Sequence, residues 1–380
     1  MDFRLSEEQR LLGDTVRRFV DQDYSFESFK ARTRTELGYD ESTWRQLAEL
    51  GLLGVPFAQE AGGFGGGGIE MMLVMEQLGR GLVVEPYFPT VVLGGAAIDL
   101  GARGAQRDEL LGQLIEGNLK LALAHYEPRS RYAATRVETS ARRDGEGFVL
   151  DGSKGVVLGA PSADRIVVSA RTAGSVDSRD GITLFLVDRK AAGVTLESYR
   201  TVDDRRAAEV TLRGVRTGRD TVLGEVDRGA DLLDRVFDRA VAALCAEAVG
   251  AMGALHAATI EYSKTRQQFG VPIARFQVLQ HRMVDMLIRF DQAQSMAILA
   301  ALKADSGDAV ERARTVSAAK FQVGRCGRYV GQQAIQLHGG MGMTDELVVG
   351  HWFKRLTAID QMLGDQDWHL DRFSRLEPAA

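Results

Sequence analysis

The sequence predicts an α+β protein in three parts: a helical N-terminal domain over 1–120, a small β domain over 121–228, and a helical bundle over 229–380. Two observations predict it. Apolar residues recur at helical spacing near the start, as Leu12, Val16, Phe19 and Val20, and again along alanine-rich stretches after 229. Between them the period changes to short runs rich in β-branched residues.

The elements follow in order. Ser6 with Gln9 reads as a capping box opening the first helix. Trp44, Leu47 and Leu50 repeat the helical pattern. GGFGGGG, 62–68, is a loop ahead of an apolar helix over Ile69–Leu78; without a following Lys-Ser/Thr it is no nucleotide P-loop. In the middle, Phe148-Val-Leu, Arg165-Ile-Val-Val-Ser, Ile182–Val187 and Glu209–Leu212 read as strands, with turn signals at Asp144-Gly145 and Asp180-Gly181. Then Val236–Lys264, Phe276–Ala304 and Asp308–His338 predict long helices of an antiparallel bundle, with 343–375 as a further helix.

The bulk numbers exclude several classes. Charged residues are 26% and hydrophobic ones 45%, as in an ordinary globular protein. A net charge of -5 gives no general attraction to nucleic acid or to an anionic membrane. Cys245 and Cys326 lie in apolar helical patterns, which predicts buried thiols. The start, MDFRLSEEQ, has no basic-then-apolar leader, and no run of about 18 apolar residues stands out to span a bilayer. A cytoplasmic location is the default. His338, His351 and His369 lack metal-ligand spacing, so no metal is expected.

The most informative stretch is Gln332–Thr344, where a helical run ends in His338-Gly339-Gly340-Met341-Gly342. Glycines at this density let bare backbone approach a ligand and offer N–H donors, which suits a pyrophosphate; the same residues also suit a helix cap and tight turn. Other strings accompany them: Arg266-Gln-Gln-Phe269-Gly270-Val-Pro-Ile273, Phe276-Gln277, and His351-Trp-Phe-Lys354-Arg355. Upstream stand Glu127-Pro128, Val149–Lys154, Ala163-Asp164 and Val222–Glu225. Together these strings resemble the acyl-CoA dehydrogenases over essentially the whole chain. The phrases SADRIVVSARTAG and GVPIARFQVLQHRMVDM look most like the small subunit of pimeloyl-CoA dehydrogenase.

The resemblance implies a fold, a cofactor and a reaction. The fold is a β-barrel or sandwich domain between two helical domains, the last a four-helix bundle. The cofactor is FAD, which takes the β-hydride of an acyl-CoA substrate while a carboxylate removes the α-proton. Each flavin lies between two subunits, one holding the ring and acyl chain, its neighbour the ADP end. Arg266 matches the arginine at the pyrophosphate, a role that suits a guanidinium fork. Phe269 and Gln277 match the flanking contacts, and the stretch from Gln336 through Gly339, Gly340 and Gly342 matches the adenosine side.

The ring half departs from the family. Where the pattern is Thr-Glu-Pro followed by Gly-Ser-Asp, this chain has Tyr126-Glu127-Pro128-Arg129-Ser130-Arg131-Tyr132-Ala133. Val156 and Leu158 stand where a tryptophan covers the flavin and a threonine lies near N5; a leucine cannot donate there. The two places where the family puts its glutamate base are Gly364 and Ala240 here, and Asp365 is the nearest substitute.

Three readings follow. The chain is the subunit of a hetero-oligomer that lends its ADP half-site to a homologous catalytic partner. Or it is a self-sufficient homo-oligomer with Asp365 as base. Or it is a flavin-free scaffold or CoA-ester-binding protein. An electron-transferring flavoprotein is the partner that the family implies.

Overall fold

The computed structural model describes residues 5–376; the first four, MDFR, part of the stretch read for a leader, lie outside the described residues. In chain order the helices before the sheet are α1 (Glu7–Asp23), α2 (Phe26–Thr33), α3 (Glu41–Glu49), α4 (Gly68–Arg80), α5 (Ala96–Gly101) and α6 (Gly104–Ile115). The strands are β1 (Leu121–Ala124), β2 (Ser140–Asp144), β3 (Gly147–Leu158), β4 (Arg165–Arg171), β5 (Ile182–Asp188), β6 (Val194–Arg200), β7 (Arg206–Thr217) and β8 (Val222–Leu223). Then come α7 (Gly229–Thr265), a hairpin of β9 (Gln267–Gln268) and β10 (Val271–Pro272), α8 (Gln277–Lys303), α9 (Ala309–His338), α10 (Val348–Gln361) and α11 (Gln366–Arg375). The chain divides into two compact units: Met1–Ala31, Gly67–Val83 and Val241–Ala380 form one; Arg32–Gly66 and Val84–Ala240 form the other.

The first unit is helical. Ser6 Oγ accepts from Gln9 N at 3.1 Å while Gln9 Oε1 accepts from Ser6 N at 2.9 Å, the reciprocal cap expected from sequence. Helix α4 meets α7 backbone to backbone. A Cβ on Gly79 would stand 2.0 Å from Glu247 O, and one on Gly250 1.8 Å from Glu76 O, so only glycine permits that crossing. Within the bundle the Arg355 guanidinium forks onto the Glu247 carboxylate at 2.7 and 2.6 Å, both side chains buried.

The second unit is built on the sheet, ordered β6-β7-β3-β2-β4-β5-β8, with β1 joining β4 in parallel. Its inner face packs Phe148, Leu150, Ile166, Phe185 and Val210. Asp144 pairs with Gly147, leaving a two-residue turn with Gly145 at φ +59, as the Asp-Gly signal predicts. The β3–β7 pairing shifts register between Leu150 and Gly152 and again between Lys154 and Val157, the second shift placing a bulge near the end of β3.

Two expectations need correction, and one element was not anticipated. The stretch 343–375 is two helices, not one: the chain breaks at Leu363 (φ +57) and Gly364 (φ +113), between α10 and α11. Among the described residues one helix, α7, is long and apolar enough to cross a membrane, contrary to the reading of no such run; 83% of its apolar window is buried inside the protein, which makes it a core helix. Within the first 120 residues, Phe88–Gly95 forms a wholly buried π-helical turn that the periodicity gave no reason to expect.

Candidate functional site

Arg266 opens the turn that follows α7: its N–H donates to Tyr262 O at 2.8 Å and its carbonyl accepts from Ile273 N at 2.8 Å. Its side chain is exposed and has no ion-pair partner among the described residues. Gln268 pairs with Val271, so Phe269 and Gly270 form a two-residue hairpin tip with φ +55 and +79. Such tips favour Asn-Gly; a phenylalanine at positive φ costs about 1–2 kcal/mol. Phe269 is also 89% exposed, with its ring edge-on to Phe276 at 6.1 Å. Neither the strain nor the exposed ring serves the fold. Gln277, also exposed, begins α8.

The glycine stretch closes α9. Gly339 caps the helix at φ +58 and ψ -138, a conformation open to glycine, and Gln336 is exposed in the preceding turn. Gly342 is buried; a Cβ there would press on Ile335 O at 2.9 Å. Gly340 has neither reason: its φ is not positive, and a Cβ would meet no atom within 4 Å. Bare backbone facing open space is what a ligand approaching closely would require. The two segments are brought together by Tyr262, whose ring stacks on His338 with centroids 4.3 Å apart. On this evidence the residues present fit the ADP end of FAD.

The ring-side residues lie in the sheet unit. Glu127 does more than shape a turn. Its carboxylate takes a 2.7 Å bond from the wholly buried Lys154 Nζ and further bonds from Glu138 N at 2.7 Å and Thr139 N at 2.9 Å. Lys154 also donates to His125 O and Ser169 Oγ, both at 3.1 Å. Burial pushes the Lys154 ammonium down to about 8 against the pull of Glu127. Glu127 is held below the ordinary carboxylate value: burial would raise it, but the Lys154 charge and hydrogen bonds outweigh that. Burial, aided by the Lys154 charge, pushes His125 down to about 3. Sequence reasoning missed this network, which joins side chains 27 residues apart.

Beside it Tyr126 stacks on Phe237, rings 8° from parallel at 5.7 Å. Val156 sits in the bulge at φ +51, 61% exposed, its N–H on Glu209 Oε1 at 3.3 Å. Leu158 is half-buried at the end of β3. Neither Val156 nor Leu158 offers an aromatic face or a side-chain donor, the two things that the resemblance puts at these places.

The two base positions carry no carboxylate. Ala240 is fully buried in α7. At Gly364 a Cβ would stand 2.5 Å from Trp368 Cε3 and 2.9 Å from His369 Nε2, so the room for a side chain is filled. Lys320 Nζ fixes the turn by donating to Asp360 O at 3.0 Å and Gly364 O at 2.7 Å. Asp365 is the N-cap of α11, its carboxylate accepting from Trp368 N at 2.9 Å.

Known proteins share this architecture. Three family models match in succession: acyl-CoA dehydrogenase N-terminal domain over 6–118, middle domain over 122–215 and C-terminal domain over 227–375. Acyl-CoA dehydrogenase IpdE2 of Mycolicibacterium smegmatis is 31% identical, over 95% of this chain and 96% of its own. Among solved structures, a Tcur3481–Tcur3483 steroid ACAD variant is 29% identical, with 97% of each chain covered and a TM-score of 0.88. The ChsE4–ChsE5 complex from Mycobacterium tuberculosis is 25% identical, with 100% of each chain covered and a TM-score of 0.88. The chain therefore belongs to the acyl-CoA dehydrogenase family of flavoprotein oxidoreductases.

Proposed function

We propose that this chain serves FAD-dependent α,β-desaturation of an acyl-CoA thioester as the subunit that lends its ADP half-site to a homologous catalytic partner. The observation that carries the reading is the contrast at two glycines: open space over Gly340, and a filled slot at Gly364 where the family keeps its base. The likeness to complexes whose names join two components, ChsE4–ChsE5 and Tcur3481–Tcur3483, supports a hetero-oligomer. The word steroid in the second name supports a bulky acyl group.

When bound, FAD supplies the hydride acceptor. In this chain Arg266 would pair with the pyrophosphate, and Phe269 and Gln277 would flank it. The backbone of Gly339 and Gly340 would approach the adenosine side. The partner would bring the glutamate and the ring pocket, and an electron-transferring flavoprotein would reoxidise the cofactor.

The self-sufficient reading keeps one foothold, the half-buried Asp365 carboxylate beside the closed slot. Purification separates the two. The partner reading expects the chain alone to be colourless and inactive, and a homologous chain to co-purify with a single FAD per pair. Stoichiometric flavin and acyl-CoA-dependent dye reduction by the chain alone, abolished in Asp365→Ala, would overturn it.

A further inference from the structure

Tyr262 lies one helical turn before Arg266, about 6 Å along the axis. Its phenol is half-buried and turned toward the end of α9. There its ring stacks on His338 at 4.3 Å, 27° from parallel, and its hydroxyl donates to His338 O at 3.3 Å. His338 is buried and anchored in turn: its Nδ1–H donates to Ala334 O at 2.8 Å. Next after His338 come Gly339 and Gly340.

The end of α7 is equally fixed. Ser263 Oγ donates to Thr259 O at 2.8 Å, and Thr265 Oγ1 donates to Glu261 O and Tyr262 O at 3.2 and 3.1 Å. Every member of the path from the arginine to the glycines is thus held by a short contact, while the arginine and the glycines themselves face solvent.

We propose that Tyr262 and His338 are positioning residues, a latch that fixes Arg266 and the Gly339–Gly340 backbone at the separation an ADP moiety requires. The inference rests on the lent half-site proposed above. Neither residue touches the cofactor; each acts by stopping the ends of α7 and α9 from shifting apart. A floppy clamp would spend part of the binding energy on ordering itself.

The selectivity between FAD and FMN tests this, because FMN lacks the adenylate that the clamp would hold. The oligomer is isolated through a tag on this chain, with whatever co-purifies, and stripped of flavin. FAD and FMN are then titrated by flavin fluorescence. Arg266→Ala should lower the FAD-over-FMN preference by about ten- to a hundredfold, the range for losing a charge-assisted bond. Tyr262→Ala should lower it about tenfold, with FMN affinity unchanged. Tyr262→Phe keeps the stack and loses one neutral hydrogen bond, so about threefold is expected.

If Tyr262→Ala weakens both flavins equally, Tyr262 is packing and the latch is wrong. If the alanine variant does not fold, an unchanged preference in Tyr262→Phe overturns the latch. An unchanged preference in Tyr262→Ala beside a lowered one in Arg266→Ala overturns the latch alone. An unchanged preference in Arg266→Ala overturns the lent half-site itself.

Discussion

Gly340 and Gly364 are glycines for opposite reasons. At 340 a side chain would meet nothing in this chain, so the fold leaves the space open. At 364 a side chain would collide with Trp368 and His369, so the chain has used the space itself. The surroundings follow suit. Near Gly340 the chain leaves a guanidinium and a phenylalanine in solvent. Near Gly364 a wholly buried lysine ties down the turn. The ring-side network resembles the second case: Glu127, Lys154 and Ser169 satisfy one another inside the sheet unit. The lesson is that Arg266, Phe269 and Gly340 of the proposed ADP side are not called on by the fold, whereas Gly364 and the Glu127–Lys154 pair are. Substitutions on the two sides should therefore move different observables.

The largest effect on stability is expected at Lys154. Lys154→Met leaves the Glu127 carboxylate buried without its cation, and losing one partner of such a pair costs about 3–5 kcal/mol. Urea unfolding of the purified chain or its complex measures it. A loss under about 1 kcal/mol would mean that the pair is not desolvated as its burial implies.

Next comes Gly364→Glu, which returns the family's base to its place. The φ of +113 and the 2.5 Å approach to Trp368 predict a cost of about 2–4 kcal/mol and no gain in acyl-CoA-dependent dye reduction. Activity recovered without loss of stability would show the slot to be open and would break the contrast with Gly340.

The pH dependence of stability sharpens the same contrast. His125 titrates near 3 in the folded protein, against about 6.5 when unfolded. Between those values the unfolded chain binds a proton that the folded chain does not. Stability is complete above pH 6.5 and falls on acidification by up to about 1.4 kcal/mol per pH unit from this group. His369, held well below its usual value chiefly by burial, adds a loss of the same sign. In His125→Phe the slope between pH 6.5 and 4 should be shallower, measured by thermal unfolding across that range. Equal slopes in both proteins would remove His125 from the account.

Much of this was legible in the sequence, and the exceptions have physical causes. The ends of α8 and α9 and the capping box at Ser6 followed from period and capping chemistry, which are local. The residues proposed for the ADP side stand in short, glycine-marked segments that follow α7 and α9. The Glu127–Lys154 pair was not: a buried ion pair joins distant positions through the sheet register, and nothing in the local pattern announces it. The break at Leu363-Gly364 was hidden because helical spacing continues across it, and the carbonyls it frees are taken up by the distant Lys320 and by His369 of the following helix. The closure at Gly364 was likewise invisible, since a missing glutamate in a sequence does not say whether its room was kept.

The smallest effect on stability is expected at Phe269, and it separates the two sides most cleanly. The residue is a strained, 89% exposed phenylalanine at a hairpin tip whose backbone favours Asn. Phe269→Asn removes little packing, since the ring is 89% exposed and lies edge-on to Phe276 at 6.1 Å, and it relieves the cost of positive φ. The folded chain should therefore be unchanged or more stable by up to about 1 kcal/mol. The same substitution should release FAD more readily from the assembled oligomer, by about three- to tenfold, if the ring lies against the ADP end of a cofactor. A residue that strains its own chain and improves the binding of something else is what a lent half-site consists of. A variant that gains stability and holds FAD as tightly as before would leave Phe269 with no role on either side.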